Sequence, residues 1–186
     1  MRTLGLLPVL LLFSACDQSA NIGTSRSQSA PSPAEAPVPP SIISAQGWGP
    51  VRIGTLESVA IDAMGGARPG AAASRTDCHY VQPIASDSIR VLIEAGKVSR
   101  IEAHGGTDHV ITDTGLSLGA TAAQVRAKYS AELEEDPVAD ASAPAAYLTY
   151  WNRTDRQGIR FVVGSTGLVE TILVGGPSIR NAQGCS

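Results

Sequence analysis

The chain has 186 residues, which suits one domain with extensions or two very small domains. A hydrophobic fraction of 43% allows a buried core, while a formal net charge of −3 leaves no dominant basic face and excludes a nucleic-acid binder. Aromatics at 4% make stacking platforms scarce, and three Cys with three His exclude a multi-zinc architecture.

Arg2 supplies a short basic start, and an apolar run follows from Leu4 to Phe13. A helix crossing a bilayer needs about 20 apolar residues, so this run is too short to span and has the length of an export-signal core. It ends in Phe13-Ser14-Ala15-Cys16, small residues before a cysteine, and resembles a bacterial lipobox. Residues 1–15 are therefore expected to be a lipoprotein signal peptide, with Cys16 lipidated as the mature N-terminus. The alternative is an ordinary secretory peptide cut at Ala15 or Ala20. Export with a lipid anchor in the cell membrane or outer membrane is implied, the domain lying in the periplasm or at the cell surface. Asp17, directly after the cysteine, resembles an inner-membrane retention signal.

Residues 16–44 read as the lipidated cysteine and a Ser/Pro/Ala-rich disordered tether. Between Asp17 and Ser41 only Ile22 and Val38 are large and apolar, and prolines stand at Pro31, Pro33, Pro37, Pro39 and Pro40. Such a stretch cannot bury enough surface to offset its ordering entropy. Apolar patterning begins at about Ile42, and one folded domain is expected over 45–186.

Within that domain two stretches match each other. Val51-Arg52-Ile53-Gly54-Thr55 leads into Leu56, Val59, Ala60, Ala63 and Met64 at helical spacing. Leu116-Ser117-Leu118-Gly119-Ala120-Thr121 leads into Ala122, Val125 and Tyr129 in the same way. Both predict a short strand or turn, a threonine N-cap and a helix of about ten residues. Strands are then predicted at Cys78–Val81 and Tyr147–Trp151. Hairpins follow at Ile89–Ile101 and Ile159–Ile172, turning at Glu94-Ala95-Gly96-Lys97 and Gly164-Ser165-Thr166-Gly167. The expected fold class is α+β: two αβββ units, at about 48–106 and 113–176, with antiparallel sheets covered by short helices.

The opening of each unit is similar to the hydrophobic-x-hydrophobic-Gly-x-Thr start of repeats in the SmpA/OmlA small outer-membrane lipoproteins. It also resembles the tandem repeats of the beta-lactamase inhibitory protein superfamily. The resemblance covers most of residues 48–176. The chain departs from it in showing no clear second helix per unit, since residues 66–76 are rich in Gly, Pro and Ala. It implies a non-catalytic envelope protein that binds another protein, and it carries over no catalytic residues.

With Cys16 assigned to lipid, Cys78 and Cys185 remain. In an oxidising compartment an even pair is expected to form a disulfide. A reactive or metal-binding Cys78-His79 pair is the alternative.

Candidate sites are few. His104, Asp108, His109 and Asp113 are the single cluster of acid–base or ligand types, and would serve a small hydrolase or a metal-binding protein; a polar connector is the plainer expectation. Glu132, Glu134, Glu135, Asp136 and Asp140 are expected in a solvated loop, with an acidic docking loop for a basic partner, or weak calcium binding, as the functional alternatives. Tyr147, Tyr150 and Trp151 concentrate three aromatics on one strand, with Tyr147 and Trp151 on one face and Tyr150 on the other. One of those faces must meet the helices, so at least part of the cluster is expected in the core; the other face, if exposed, is the candidate protein interface, or alternatively a platform for glycan or peptidoglycan. Trp48 is expected to plug the end of the core. Arg90 and Arg160 occupy equivalent positions and are expected to face the same way. The expected function is protein–protein binding as an assembly factor, scaffold or inhibitor, without catalysis. Its partners are the membrane, through the N-terminal lipid, and another envelope protein; no nucleic acid, metal or small-molecule cofactor is expected.

Overall fold

The computed structural model describes residues 41–70, 77–105, 109–154, 156–181 and 184–185. The expected signal peptide, Cys16, the expected tether up to residue 40 and Asp108 lie outside the described residues. Two sheets and two short helices make up the described fold. The strands are β1 (Ser41–Ser44), β2 (Gly47–Trp48), β3 (Val51–Arg52), β4 (Ala67–Pro69), β5 (Cys78–Pro83), β6 (Ile89–Glu94) and β7 (Lys97–His104). They continue with β8 (Val110–Thr112), β9 (Leu133–Pro137), β10 (Ala146–Asn152), β11 (Gln157–Val163) and β12 (Val169–Gly175). The helices are α1 (Glu57–Ala63) and α2 (Ala122–Tyr129).

The expected α+β balance is corrected: the protein is mostly β. Its helices have only seven and eight residues, against eight strands in one antiparallel sheet and four in another. Each helix is followed by four strands of the large sheet rather than three. The extra ones are β4 and β9, at the two edges of the large sheet. Neither has the composition of a strand. β4 is Ala-Arg-Pro, and β9 is Leu-Glu-Glu-Asp-Pro. Pairing with β5 and β10 supplies their backbone hydrogen bonds, and this overrides weak local propensity. β1 is a further strand, and it lies inside the span assigned to the tether.

The large sheet runs β4-β5-β6-β7-β12-β11-β10-β9. Its order is symmetric about the β7·β12 pair, where the last strands of the two halves meet antiparallel. Gly175 permits this close approach. It has φ +153°, and a Cβ there would stand 2.4 Å from the Ser99 carbonyl oxygen on β7. The small sheet, ordered β3-β2-β1-β8, pairs β1 with β8 in parallel.

Strict alternation gives the large sheet two unlike faces. Its inner face presents Val91, Ile93, Ile101, Ala103, Leu148, Ile159, Phe161, Ile172 and Val174 to one core. Ala60 of α1, Val125 of α2, and Ile43, Val51 and Val110 of the small sheet close that core. Trp48 packs half-buried against it. α2 starts as predicted, with Thr121 accepting from Gln124 N–H while the Gln124 side chain accepts from Thr121 N–H. Thr55 does not cap α1; Leu56 holds that position without a side-chain hydrogen bond.

Candidate functional site

The outer face of the large sheet carries polar and charged side chains beside a small buried cluster of Cys78, Leu92 and Cys185, against which Tyr80 packs. One row crosses six strands in register: Arg90 on β6, Glu102 on β7, Leu173 on β12, Arg160 on β11, Thr149 on β10 and Glu134 on β9. Arg90 and Arg160 thus face the same way, as equivalent positions in the two halves.

Arg100 stands beside this row and is 1% exposed. Its guanidinium donates to Glu102 Oε1 at 2.5 Å, to Tyr80 Oη at 2.5 Å, and to the carbonyls of Ser178 and Asn181 at 2.8 and 2.5 Å. Glu102 also accepts from Tyr80 Oη at 2.7 Å and pairs with Arg90 at 3.0 Å. Burial, followed by the hydrogen bond to Glu102, raises the Tyr80 pKa above its ordinary value. The Arg100 contacts hold a 3₁₀ turn at Pro177–Arg180, and with it the tail, against the sheet. Cys185 then bonds Cys78 on β5, with Cα atoms 5.5 Å apart. The disulfide and the arginine clamp reinforce each other: both fasten one tail to one face.

Towards the β9 edge the same face carries two stacked pairs. Arg160 lies over the Tyr147 ring at 4.0 Å, and Arg180 over Trp151 at 5.3 Å. Asp136 reaches Arg160 at 3.5 Å, and Glu134 pairs with Arg180. Of the acidic segment, Asp140 lies in an exposed turn as expected, but the other four acids do not form a loop. Residues 132–136 form the end of a 3₁₀ turn and the edge strand, with Glu134 and Asp136 directed to outer-face arginines and Glu135 directed to Arg126 of α2. Arg126 holds the Glu135 carboxyl below its ordinary value. Charges along an edge also discourage pairing with other chains.

The other candidates separate. Tyr150 is on the inner side, 4.9 Å from the Tyr129 ring and packed against the core, whereas Tyr147 and Trp151 are on the outer side. His104 ends β7 on the outer face, next to Arg90 and Glu102. Burial first, then Arg90, lowers its pKa below the ordinary 6.5. His109 is exposed just before β8. Asp113 lines a groove of about 430 Å³ on the helix side, with Thr114, Lys128, Tyr129, Glu132 and Tyr150. Burial pushes Tyr129 up to about 12, so that hydroxyl keeps its proton near neutral pH. His104 and Asp113 therefore share no site. Among the described residues no three His, Cys, Asp or Glu are placed to hold a metal ion.

Sequence reasoning found Tyr147, Trp151, Arg90 and Arg160 but not Tyr80, Arg100 or Glu102. A usable clue was present in Arg100-x-Glu102-x-His104, three polar side chains alternating with Ile101 and Ala103. That pattern puts them on the non-core face, though it does not announce their burial. A scan of family models, a search of curated proteins and a search of solved structures each return no match to the chain.

Proposed function

We propose that this is a lipid-anchored protein of the bacterial cell envelope that binds another protein, without catalysis, on the outer face of its large sheet. The observation that carries the reading is the pair of arginine–aromatic stacks, Arg160–Tyr147 and Arg180–Trp151, presented on that face. Both helices and the small sheet close the inner core, so among the described residues only the tail covers the outer side. Tyr, Trp and Arg are the residue types that dominate binding energy in protein interfaces. The clamp by Arg100 and the disulfide keep the face rigid before binding, which limits the entropy lost on association. The anchoring part of the reading rests on the Leu4–Cys16 sequence.

The test is photo-crosslinking in intact cells, with a photoreactive residue at position 147 or 151 and, as control, at Val59, which is 52% exposed on α1. Discrete adducts from 147 and 151, with none from 59, are expected. No adduct from the outer face, or equal labelling at 59, overturns the reading. Cys16→Ser is expected to move the protein out of the membrane fraction, and unchanged membrane association refutes the anchor.

A further inference from the structure

The arginines of the outer face are unequally engaged. Both terminal nitrogens of Arg100 meet acceptors in Glu102, Tyr80 and the tail carbonyls, leaving only its Nε without one, and Glu102 is taken up by Arg100, Tyr80 and Arg90. Arg160 is 5% exposed, yet its carboxylate partner is Asp136 at 3.5 Å, on the half-exposed edge strand. Its Nε is buried and has no hydrogen-bond partner in the described structure, and the same holds for Nε of Arg90. These groups line a pocket of about 200 Å³ with Glu102 as its one carboxylate, so the lining has an excess of positive charge in a chain of net charge −3. Desolvation lowers the Arg160 pKa, the direction expected of a buried cation with too little countercharge. Leu173, Val162 and Ile179 make the apolar part of the wall, and Leu173 stands in the row between Glu102 and Arg160.

We infer that this pocket receives one carboxylate on a short aliphatic stem, an aspartate or glutamate side chain of the bound partner. The inference rests on the preceding reading of the face as protein-binding. Free guanidinium N–H groups accept a planar carboxylate in charge-assisted hydrogen bonds, and Leu173 and Val162 offer methylene-sized apolar contact to its stem. The volume lies below the roughly 300–1,000 Å³ of ordinary small-molecule sites, so a single side chain fits and a larger ligand does not. With Asp136 counted against Arg160, three arginines face two carboxylates, and the remaining excess of one positive charge matches a monoanion better than a phosphate dianion.

The experiment titrates three probes into the full chain carrying ¹⁵N-labelled arginine and follows the Nε–Hε resonances. The probes are Nα-acetyl-glutamate methylamide, its neutral glutamine counterpart and inorganic phosphate. Saturable shifts at Arg90 and Arg160 with the glutamate probe are expected, with binding at least about tenfold weaker for the glutamine probe. Arg160→Gln is expected to remove the response. Arg160 also touches the Ile179 carbonyl, so Arg90→Gln, at a half-exposed position, serves as the second variant, with thermal melting of both as the folding control. No shift, equal binding of the glutamine probe, tighter binding of phosphate, or undiminished binding in both variants each overturns the inference. A crosslinked adduct at position 147 that persists in a chain with no carboxylate response sinks the pocket alone and leaves the protein-binding face standing. Carboxylate binding with no adduct refutes the partner's side chain as the occupant.

Discussion

His104 is the residue whose environment has the plainest consequence in solution. Burial and the Arg90 guanidinium both disfavour its charged form, so the folded chain holds the proton less tightly than the unfolded chain, whose imidazole titrates near 6.5. Below that value the unfolded state gains protons first. Stability contributed by neutral His104 is therefore complete above about pH 6.5 and is lost as pH falls from there through the lower folded value. Replacing His104 with Asn is expected to flatten this part of the profile, as read by thermal melting between about pH 5 and 8. An unchanged slope across that window would assign the dependence to other groups. On the same strand, Arg100 is buried as well, and each part of its guanidinium fork except Nε meets an acceptor.

At the scale of elements, the β6–β7 turn offers a sharp test. Ala95 and Gly96 have φ of 49° and 71°, the pair of positive values required by a type I′ hairpin. Glycine adopts this freely and alanine does not. Ala95→Asn is expected to stabilise the protein by about 0.5–1 kcal/mol in urea unfolding, and Gly96→Ala to destabilise it by about 1 kcal/mol. The same hairpin was legible in the sequence, because the apolar-rich runs Ile89-Arg90-Val91-Leu92-Ile93 and Val98–Ile101 flank the turn residues Glu94-Ala95-Gly96-Lys97. β10, β11 and β12 were legible on similar grounds. β9 was not, since a run of acids reads as a solvated loop unless the neighbouring β10 is known to need a partner. α1 and α2 were placed but overestimated in length. The predicted α+β class failed at the same points, where edge pairing adds strands that local propensity does not favour.

Across the whole molecule, the disulfide closes a separation of 107 residues. The loop-entropy model gives such a closure roughly 4–5 kcal/mol. The Cys78→Ser/Cys185→Ser double variant is expected to lose up to about that much in urea unfolding, measured against the oxidised parent. The loss should stop short of unfolding the turn at Pro177–Arg180, since Arg100 still binds the Ser178 and Asn181 carbonyls. A parent and double variant with equal midpoints would show that the clamp alone fastens the tail. The pairing could be read from cysteine parity; the clamp could not, because Arg100 and Asn181 are brought together only by the tertiary fold. The candidate site was hidden for a related reason. Its row depends on the register between β7 and β12, and no local pattern encodes which strands of two similar halves become neighbours.

That central pair has a consequence for how the chain comes into being. β7 is complete at residue 104, whereas β12, which covers its free edge, begins at residue 169. A chain emerging N-terminus first therefore holds an open row of backbone donors and acceptors, flanked by Ile101 and Ala103, until the second half has been made. Another unfinished copy offers that row the same edge in the same orientation. Crowded nascent chains are thus exposed to half-swapped dimers, in which the first half of one molecule takes up the second half of another. Speed of synthesis and separation between neighbouring copies then become determinants of correct assembly, alongside the stability of the finished sheet.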